Sequence, residues 1–189
     1  MEAFLVSITT ISVAEIGDRT QLLSLVLAAR YRRPWPIIAG ILCATLANHA
    51  VAGIIGVWFG SLLKPRTLDI AVGISMIAMA LWTLKPDKLD ENTGATSAAG
   101  AFLATLTSFF IAEIGDKTQI ATLALAAAYP SLIAVVAGTT AGMMIANVPV
   151  VFLGKAFANR LPLKAIHYGA AALFVILGAL FIARALWVS

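Results

Sequence analysis

The chain has 189 residues, of which 61% are hydrophobic and 12% charged, with 13 Lys and Arg against 9 Asp and Glu. A soluble domain carries about 25% charged residues, so this composition, with a mean hydropathy of +0.96, excludes an ordinary soluble domain and predicts an integral membrane protein. The pI near 9.5 does not predict a nucleic-acid partner, because the basic residues are scattered at segment ends, where they set membrane orientation. Cys43 is alone, so no internal disulfide forms, and the opening MEAFLVSITT lacks the basic start of a signal peptide.

A membrane-spanning helix needs roughly 20 mostly apolar residues. Six such segments are expected, at about 3–29, 36–63, 67–84, 98–128, 131–158 and 163–187. The third is short and is placed with a start near Asp69. Runs such as IIAGILCATLANHAVAGIIGVWFG are too long and continuous for barrel strands of about 10 alternating residues, so the fold class expected is all-α. Pro and charge mark the breaks at RYRRPWP (30–36), KPR (64–66), KPDKLDENTGATSA (85–98), YPS (129–131) and NRLPLK (159–164). The stretch 85–98 is the one sizeable loop. It divides the chain into a first three-helix unit (1–84) and a second (99–189), and its Asp87, Asp90 and Glu91 read as a solvated loop rather than a calcium-binding loop. With the N-terminus outside, the inner loops hold Arg30, Arg32, Arg33, Lys85, Lys88, Lys155, Arg160 and Lys164, against Lys64, Arg66 and Arg184 outside. This bias predicts both termini outside and the 85–98 linker in the cytoplasm. Trp35, Trp58, Trp82 and Trp187 fall near segment ends, as an aromatic belt requires.

Residues 14–31, AEIGDRTQLLSLVLAARY, recur at 112–129 as AEIGDKTQIATLALAAAY, with 12 of 18 positions identical at an offset of 98. Each unit has an odd number of helices, so the second copy enters the membrane from the opposite side. The expectation is two inverted repeats, a recurring plan of secondary transporters with a site at the repeat interface. Glu15 and Asp18 are three apart, as are Glu113 and Asp116, a spacing that puts both carboxylates on one face of a helix. Gln21 and Gln119 lie a further three along. Two antiparallel copies bring four carboxylates and two amide oxygens together near the midplane.

An acid or base at the centre of a membrane helix costs roughly 2.5–3.5 kcal/mol on insertion scales, so six facing lipid would cost on the order of 15–20 kcal/mol. They must be buried, paired, wet or neutralised. One account is an ion-pair staple, Glu15 with Arg19 and Glu113 with Lys117 at the i,i+4 spacing, but it leaves both Asp residues unexplained. With both bases charged, four carboxylates and two bases sum to about −2, which one divalent cation or two protons would neutralise. Carboxylate and amide oxygens suit magnesium, calcium or manganese better than copper or zinc, and neither cassette holds Cys or His. Gly17 and Gly115 either allow a helix break that frees carbonyls for a cation or serve close helix packing. Thr20 and Thr118 add hydroxyl ligands or bond back to the helix. Asn48 and Asn147 supply site oxygens or interhelical hydrogen bonds. Pro149 should kink its helix and open a carbonyl. His49 relays protons or is a core histidine, and His167 is expected near the interface.

The doubled E-I-G-D-[RK]-T-Q resembles the E-x-G-D-[KR]-[ST] signature of a small cation/proton exchanger family, which includes Golgi and chloroplast calcium/manganese transporters and bacterial manganese exporters. The resemblance covers essentially the whole chain, and both motifs match without departure. It implies that Glu15, Asp18, Glu113 and Asp116 form a cation site and that manganese or calcium is exported from the cytoplasm in exchange for protons. The transported cation, protons and membrane lipid are then the partners, with no further cofactor. The lack of a long organellar extension favours a bacterial plasma (inner) membrane.

Two alternatives follow from the same residues. One is an exporter of small amino acids or organic cations, with the acids binding an ammonium. The other is an intramembrane aspartyl-type enzyme using Asp18 and Asp116 as acid and base. No phosphate-binding G-x-x-x-x-G-K-[ST] loop is present, so active transport would draw on an ion gradient.

Overall fold

A computed structural model describes residues 1–84, 100–153 and 163–187. The 85–98 linker with its acidic residues, and the loop cations Lys85, Lys88, Lys155 and Arg160, lie outside the described residues. Every described element is a helix: α1 (Glu2–Glu15), α2 (Arg19–Tyr31), α3 (Pro34–Leu62), α4 (Pro65–Thr83), α5 (Ala101–Glu113), α6 (Lys117–Ala128), α7 (Leu132–Leu153) and α8 (Leu163–Trp187). Four of them, α3, α4, α7 and α8, are long and apolar enough to cross a membrane. The two cassette segments are not continuous helices: each is broken at its cassette into a pair, α1–α2 and α5–α6.

Local chemistry sets the remaining boundaries. Pro34 and Pro65 open α3 and α4 in their first turns, where a missing N–H costs nothing. The third segment therefore starts at Pro65 rather than near Asp69. Pro149 lies inside α7, which continues to Leu153, and by rule its ring leaves the Ile145 carbonyl without its helical donor.

The bundle is apolar outside and small or polar inside. Along α3, Leu42, Leu46, Val51, Ile54 and Trp58 are exposed, while Gly40, Ala44, Thr45, Asn48, His49, Ala52, Gly53 and Gly56 are buried. In lipid no hydrophobic force draws helices together, so small residues that let backbones approach and polar residues that bond across helices fill the interfaces. Trp35, Trp58, Trp82 and Trp187 all face outward.

Helices from before and after the 85–98 stretch interlock. α1 packs on α7, and α5 packs on α3. A Cβ on Gly40 would meet the Phe102 carbonyl oxygen at 2.8 Å, Thr105 and the Leu106 nitrogen. A Cβ on Gly138 would meet the Phe4 carbonyl oxygen at 2.7 Å, Ser7 and the Ile8 nitrogen. Every residue of the second set is the first shifted by the repeat offset of 98. α4 and α8 pair through Gly73 and Gly178, where a Cβ on either would meet the other's carbonyl oxygen at 2.8 Å. This pair leans on α6 through α4 and on α1 through α8.

Candidate functional site

The sequence E-I-G-D builds a turn, not a helix. Glu15 ends α1, Ile16 takes φ −66° and ψ 121°, and Gly17 takes φ +84°. The Asp18 N–H donates to the Glu15 carbonyl at 3.1 Å. These are the features of a type II β-turn, which requires a positive φ at its third residue and therefore selects Gly. The second cassette repeats each of them. Ile114 has φ −61° and ψ 119°, Gly115 has φ +72°, and the Asp116 N–H donates to the Glu113 carbonyl at 3.1 Å. Asp18 and Asp116 then become the N-cap residues of α2 and α6, where a carboxylate meets the positive end of the helix dipole. Of the two roles expected for the glycines, the break is the one found, and Gly115 has nothing within 4 Å of where a Cβ would stand.

The expected helical face is thus corrected. Glu and Asp of one cassette belong to different helices and are brought together by the turn. One carboxylate oxygen each from Glu15, Asp18 and Asp116 lie within 4.8 Å of one another, and all three residues are buried. A hard divalent ion with bonds of about 2.0–2.6 Å can bridge oxygens up to about 5 Å apart. Glu113 is buried too but is not one of this group of three.

The alternative i,i+4 staple is not what pairs the bases with the aspartates: each base reaches the aspartate of the opposite cassette. Lys117 Nζ lies 2.9 Å from Asp18 Oδ1, with both side chains almost fully buried. Arg19 donates through Nη2 to Asp116 Oδ1 at 2.9 Å, with the arginine one-third exposed. The turn between Glu15 and Arg19 removes the continuous helix that i,i+4 pairing needs.

Each glutamate is held on one oxygen by a donor from a neighbouring helix. Asn147 Nδ2 donates to Glu15 Oε1 at 3.3 Å, and the Thr45 hydroxyl donates to Glu113 Oε1 at 2.6 Å. The second oxygen of each, Glu15 Oε2 and Glu113 Oε2, is buried without a hydrogen-bond donor among the described residues. A buried acceptor left in this way is costly unless a proton or cation meets it.

Gln21 and Gln119 clasp the turns, their Oε1 atoms accepting the N–H of Gly17 at 2.8 Å and of Gly115 at 2.7 Å. Gln21 Nε2 donates to the Ala146 carbonyl, and Gln119 Nε2 to Asn48 Oδ1. Asn48 donates to the Phe110 carbonyl, and Asn147 Oδ1 accepts from Ser24, so both asparagines make interhelical bonds. The Thr118 hydroxyl donates to Asp116 Oδ2 at 3.0 Å, while the buried Thr20 hydroxyl has no hydrogen-bond partner among the described residues. His49 is fully buried, with neither ring nitrogen bonded among the described residues. Thr45, Ser24 and Met143 escaped the sequence reading. The available signal was spacing, since Thr45 lies three residues before Asn48 and Met143 four before Asn147, on the same helix faces.

A second charged group lies away from the cassettes. Asp69, buried on α4, pairs with Arg184 on α8 through two hydrogen bonds, and Tyr129 donates to Glu2 at 3.5 Å. Arg184, expected on the outer side within the last segment, is thus held in an ion pair between helices.

These features define a helical membrane protein with a buried acidic centre assembled from two broken helices. A family model described as "Divalent cation/proton antiporter GDT1" matches residues 3–91 and 101–187, and the chain belongs to that family. It is 51% identical over 178 residues, 94% of this chain and 88% of the relative, to a Vibrio cholerae protein named "Putative manganese exporter". It is 30% identical over 187 residues to the GDT1-like protein sll0615 of Synechocystis, covering 88% of this chain and 89% of that protein. Protein PAM71, chloroplastic, of Arabidopsis thaliana is 29% identical over 203 residues, 90% of this chain and 54% of the relative. No solved structure matches. Membership of a divalent cation antiporter family makes the chain a transporter, not an intramembrane enzyme, and favours an inorganic cation over an organic one.

Proposed function

We propose that the protein exports manganese from the cytoplasm across a bacterial inner membrane in exchange for protons, with calcium as the second candidate ion. The observation that carries this reading is the buried meeting of Glu15, Asp18 and Asp116 oxygens within 4.8 Å, beside glutamate oxygens that no donor among the described residues satisfies. Lys117 and Arg19 balance two of the four carboxylates, which leaves about −2 for one divalent ion or two protons. Either load neutralises the centre, and a neutral centre is the one that crosses a low-dielectric bundle most cheaply. Exchange follows: the ion binds from the cytoplasm, and protons displace it on the far side. Glu15, Asp18, Glu113 and Asp116 are the proposed carriers of the load. Gln21, Gln119, Thr20, Thr118, Asn48 and Asn147 shape the site or add oxygens, and His49 is the candidate proton relay.

The architecture that fits this cycle is six spans in two inverted halves, 1–84 and 99–189, joined by the 85–98 linker. Both termini face outward, and α1–α2 and α5–α6 each count as one broken span. Its support is the recurrence of cassette turns and glycine contacts at an offset of 98. Discontinuous helices at a repeat interface are a common setting for ion sites in transporters. The name of the Vibrio relative favours manganese, and its source favours a bacterial inner membrane.

The test is metal flux into proteoliposomes of purified protein under an imposed pH gradient, comparing wild type with Glu113→Gln. Manganese uptake should scale with the gradient and vanish in the variant. Folded, inserted protein that moves neither manganese nor calcium with the gradient would refute the exchanger reading.

A further inference from the structure

Met143 is a fully buried residue of α7, one helical turn before Asn147. The Asn147 side-chain nitrogen that donates to Glu15 Oε1 at 3.3 Å also lies 3.1 Å from the Met143 sulfur and 3.1 Å from the Met143 carbonyl oxygen. One amide group therefore joins the thioether to a glutamate of the acidic centre. A methionine that only filled space could be leucine, and its sulfur would have no reason to sit against a polar group. Here the sulfur is turned toward the polar side of its helix.

The corresponding wall of α3 is different. One turn before Asn48 stands Ala44, and beside it Thr45 gives a hydroxyl to Glu113 at 2.6 Å. The two otherwise matching halves thus present a hydroxyl on one side and a thioether on the other. A cage of oxygens alone suits calcium and magnesium as well as manganese. A thioether is a soft donor. Alkaline-earth ions gain little by exchanging a water for sulfur, whereas transition-metal ions tolerate or favour it.

We propose that Met143 is a specificity-determining residue of the transport site, its sulfur lining the cation's position beside Glu15 and biasing the carboxylate centre toward manganese over calcium and magnesium. This inference rests on the reading of the carboxylate centre as the transport site. The same sulfur should admit cadmium, a softer ion of similar charge, which makes cadmium a usable probe.

Two measurements test it. The first is manganese uptake in proteoliposomes, titrated with calcium or magnesium as competitor, for wild type, Met143→Leu and Met144→Leu. Leucine keeps the volume and removes the sulfur. Met143→Leu should lose manganese preference by about tenfold, the lower end of the effect of altering a metal site's surroundings, while Met144→Leu keeps the wild-type preference. An unchanged preference in Met143→Leu overturns the proposal. The second is X-ray absorption at the cadmium edge on purified protein carrying Cys43→Ser, with and without Met143→Leu. A sulfur scatterer should be present in the first and absent in the second. A cadmium shell of oxygen and nitrogen alone in the Cys43→Ser protein overturns the proposal, even if Met143→Leu fails to fold. The spectrum needs no transport, so a wild type without flux that still binds cadmium through sulfur would count against the exchanger reading alone.

Discussion

Glu15 and Glu113 occupy the same position in the same seven-residue cassette, at the end of the same kind of helix and before the same kind of turn. Their surroundings differ. Glu15 gathers with Asp18 and Asp116 and is held by a long amide bond from Asn147. Glu113 stands outside that group and takes a short hydroxyl bond from Thr45. The balancing bases differ as well: Lys117 is almost wholly buried against Asp18, whereas Arg19 is one-third exposed against Asp116. The repeat fixes the backbone of the two turns, while the helices packed on each turn decide what its carboxylate does.

The largest expected effect comes from removing the two glutamate charges separately. Glu15→Gln should weaken manganese binding on the order of 100-fold, at the upper end for altered metal surroundings, and abolish transport. Glu113→Gln should abolish gradient-driven transport but weaken equilibrium binding much less, since Glu113 lies outside the group of three. Isothermal titration beside flux separates the two. Equal loss of binding in both variants would mean that the bound ion engages both glutamates alike.

Next comes the unequal burial of the bases. Removing one partner of a buried pair leaves an uncompensated charge and costs about 3–5 kcal/mol. Lys117→Met should therefore lower thermal stability strongly in detergent, and the double variant Asp18→Asn with Lys117→Met should recover much of it without restoring transport. Arg19→Met should cost distinctly less, because its side chain is one-third exposed where that of Lys117 is almost wholly buried. Equal melting shifts for the two bases would contradict the difference in burial.

A smaller effect is expected at Thr45. Hydrogen bonds to charged groups contribute about 1.5–3 kcal/mol, and part of that should appear in the transport cycle. Thr45→Val should raise the KM for manganese by up to about tenfold, with little change in melting temperature, whereas Thr45→Ser should stay near wild type. Thr105→Val removes a hydroxyl that bonds only to its own helix at Ala101 and should leave KM alone. A Thr45→Val protein with wild-type KM would mean that the hydroxyl does not matter to Glu113 in the working cycle.

The sequence carried the helices and the residues of the centre, but not how those residues connect. Long apolar runs bounded by Pro34, Pro65 and the YPS stretch are local signals, and the helix ends fall within a few residues of them. The doubled cassette named the acids, and Gly17 and Gly115 were marked as places where a helix could break. What stayed hidden is non-local. Arg19 and Lys117 look paired with their own cassette's glutamate as long as the helix is taken as continuous; one turn at Gly17 redirects Arg19 to a residue 97 positions away. Gln21 reads as a ligand by spacing, yet the turn's own N–H claims its oxygen. Thr45 and Met143 lie in apolar runs with no motif, and only the packing of α3 and α7 against the turns gives them a role. Likewise Asp69 and Arg184, 115 positions apart, are legible as a pair only once α4 and α8 meet.

The smallest effect sharpens what the two halves share. Gly17 and Gly115 have φ of +84° and +72°, a region where an L side chain costs about 1–2 kcal/mol. Around Gly115 there is open space for a Cβ, so Gly115→Ala should carry that conformational cost and no clash. Asn enters the left-handed region more readily than Ala, so Gly115→Asn should be milder. The paired experiment is Gly17→Ala against Gly115→Ala in a thermal melt. If the shared turn is the whole story, both lose stability by similar amounts, and the halves differ only through the side chains packed around them. A much larger loss at Gly17 would place part of the inequality in the backbone itself rather than in the neighbours Thr45, Asn147 and Met143.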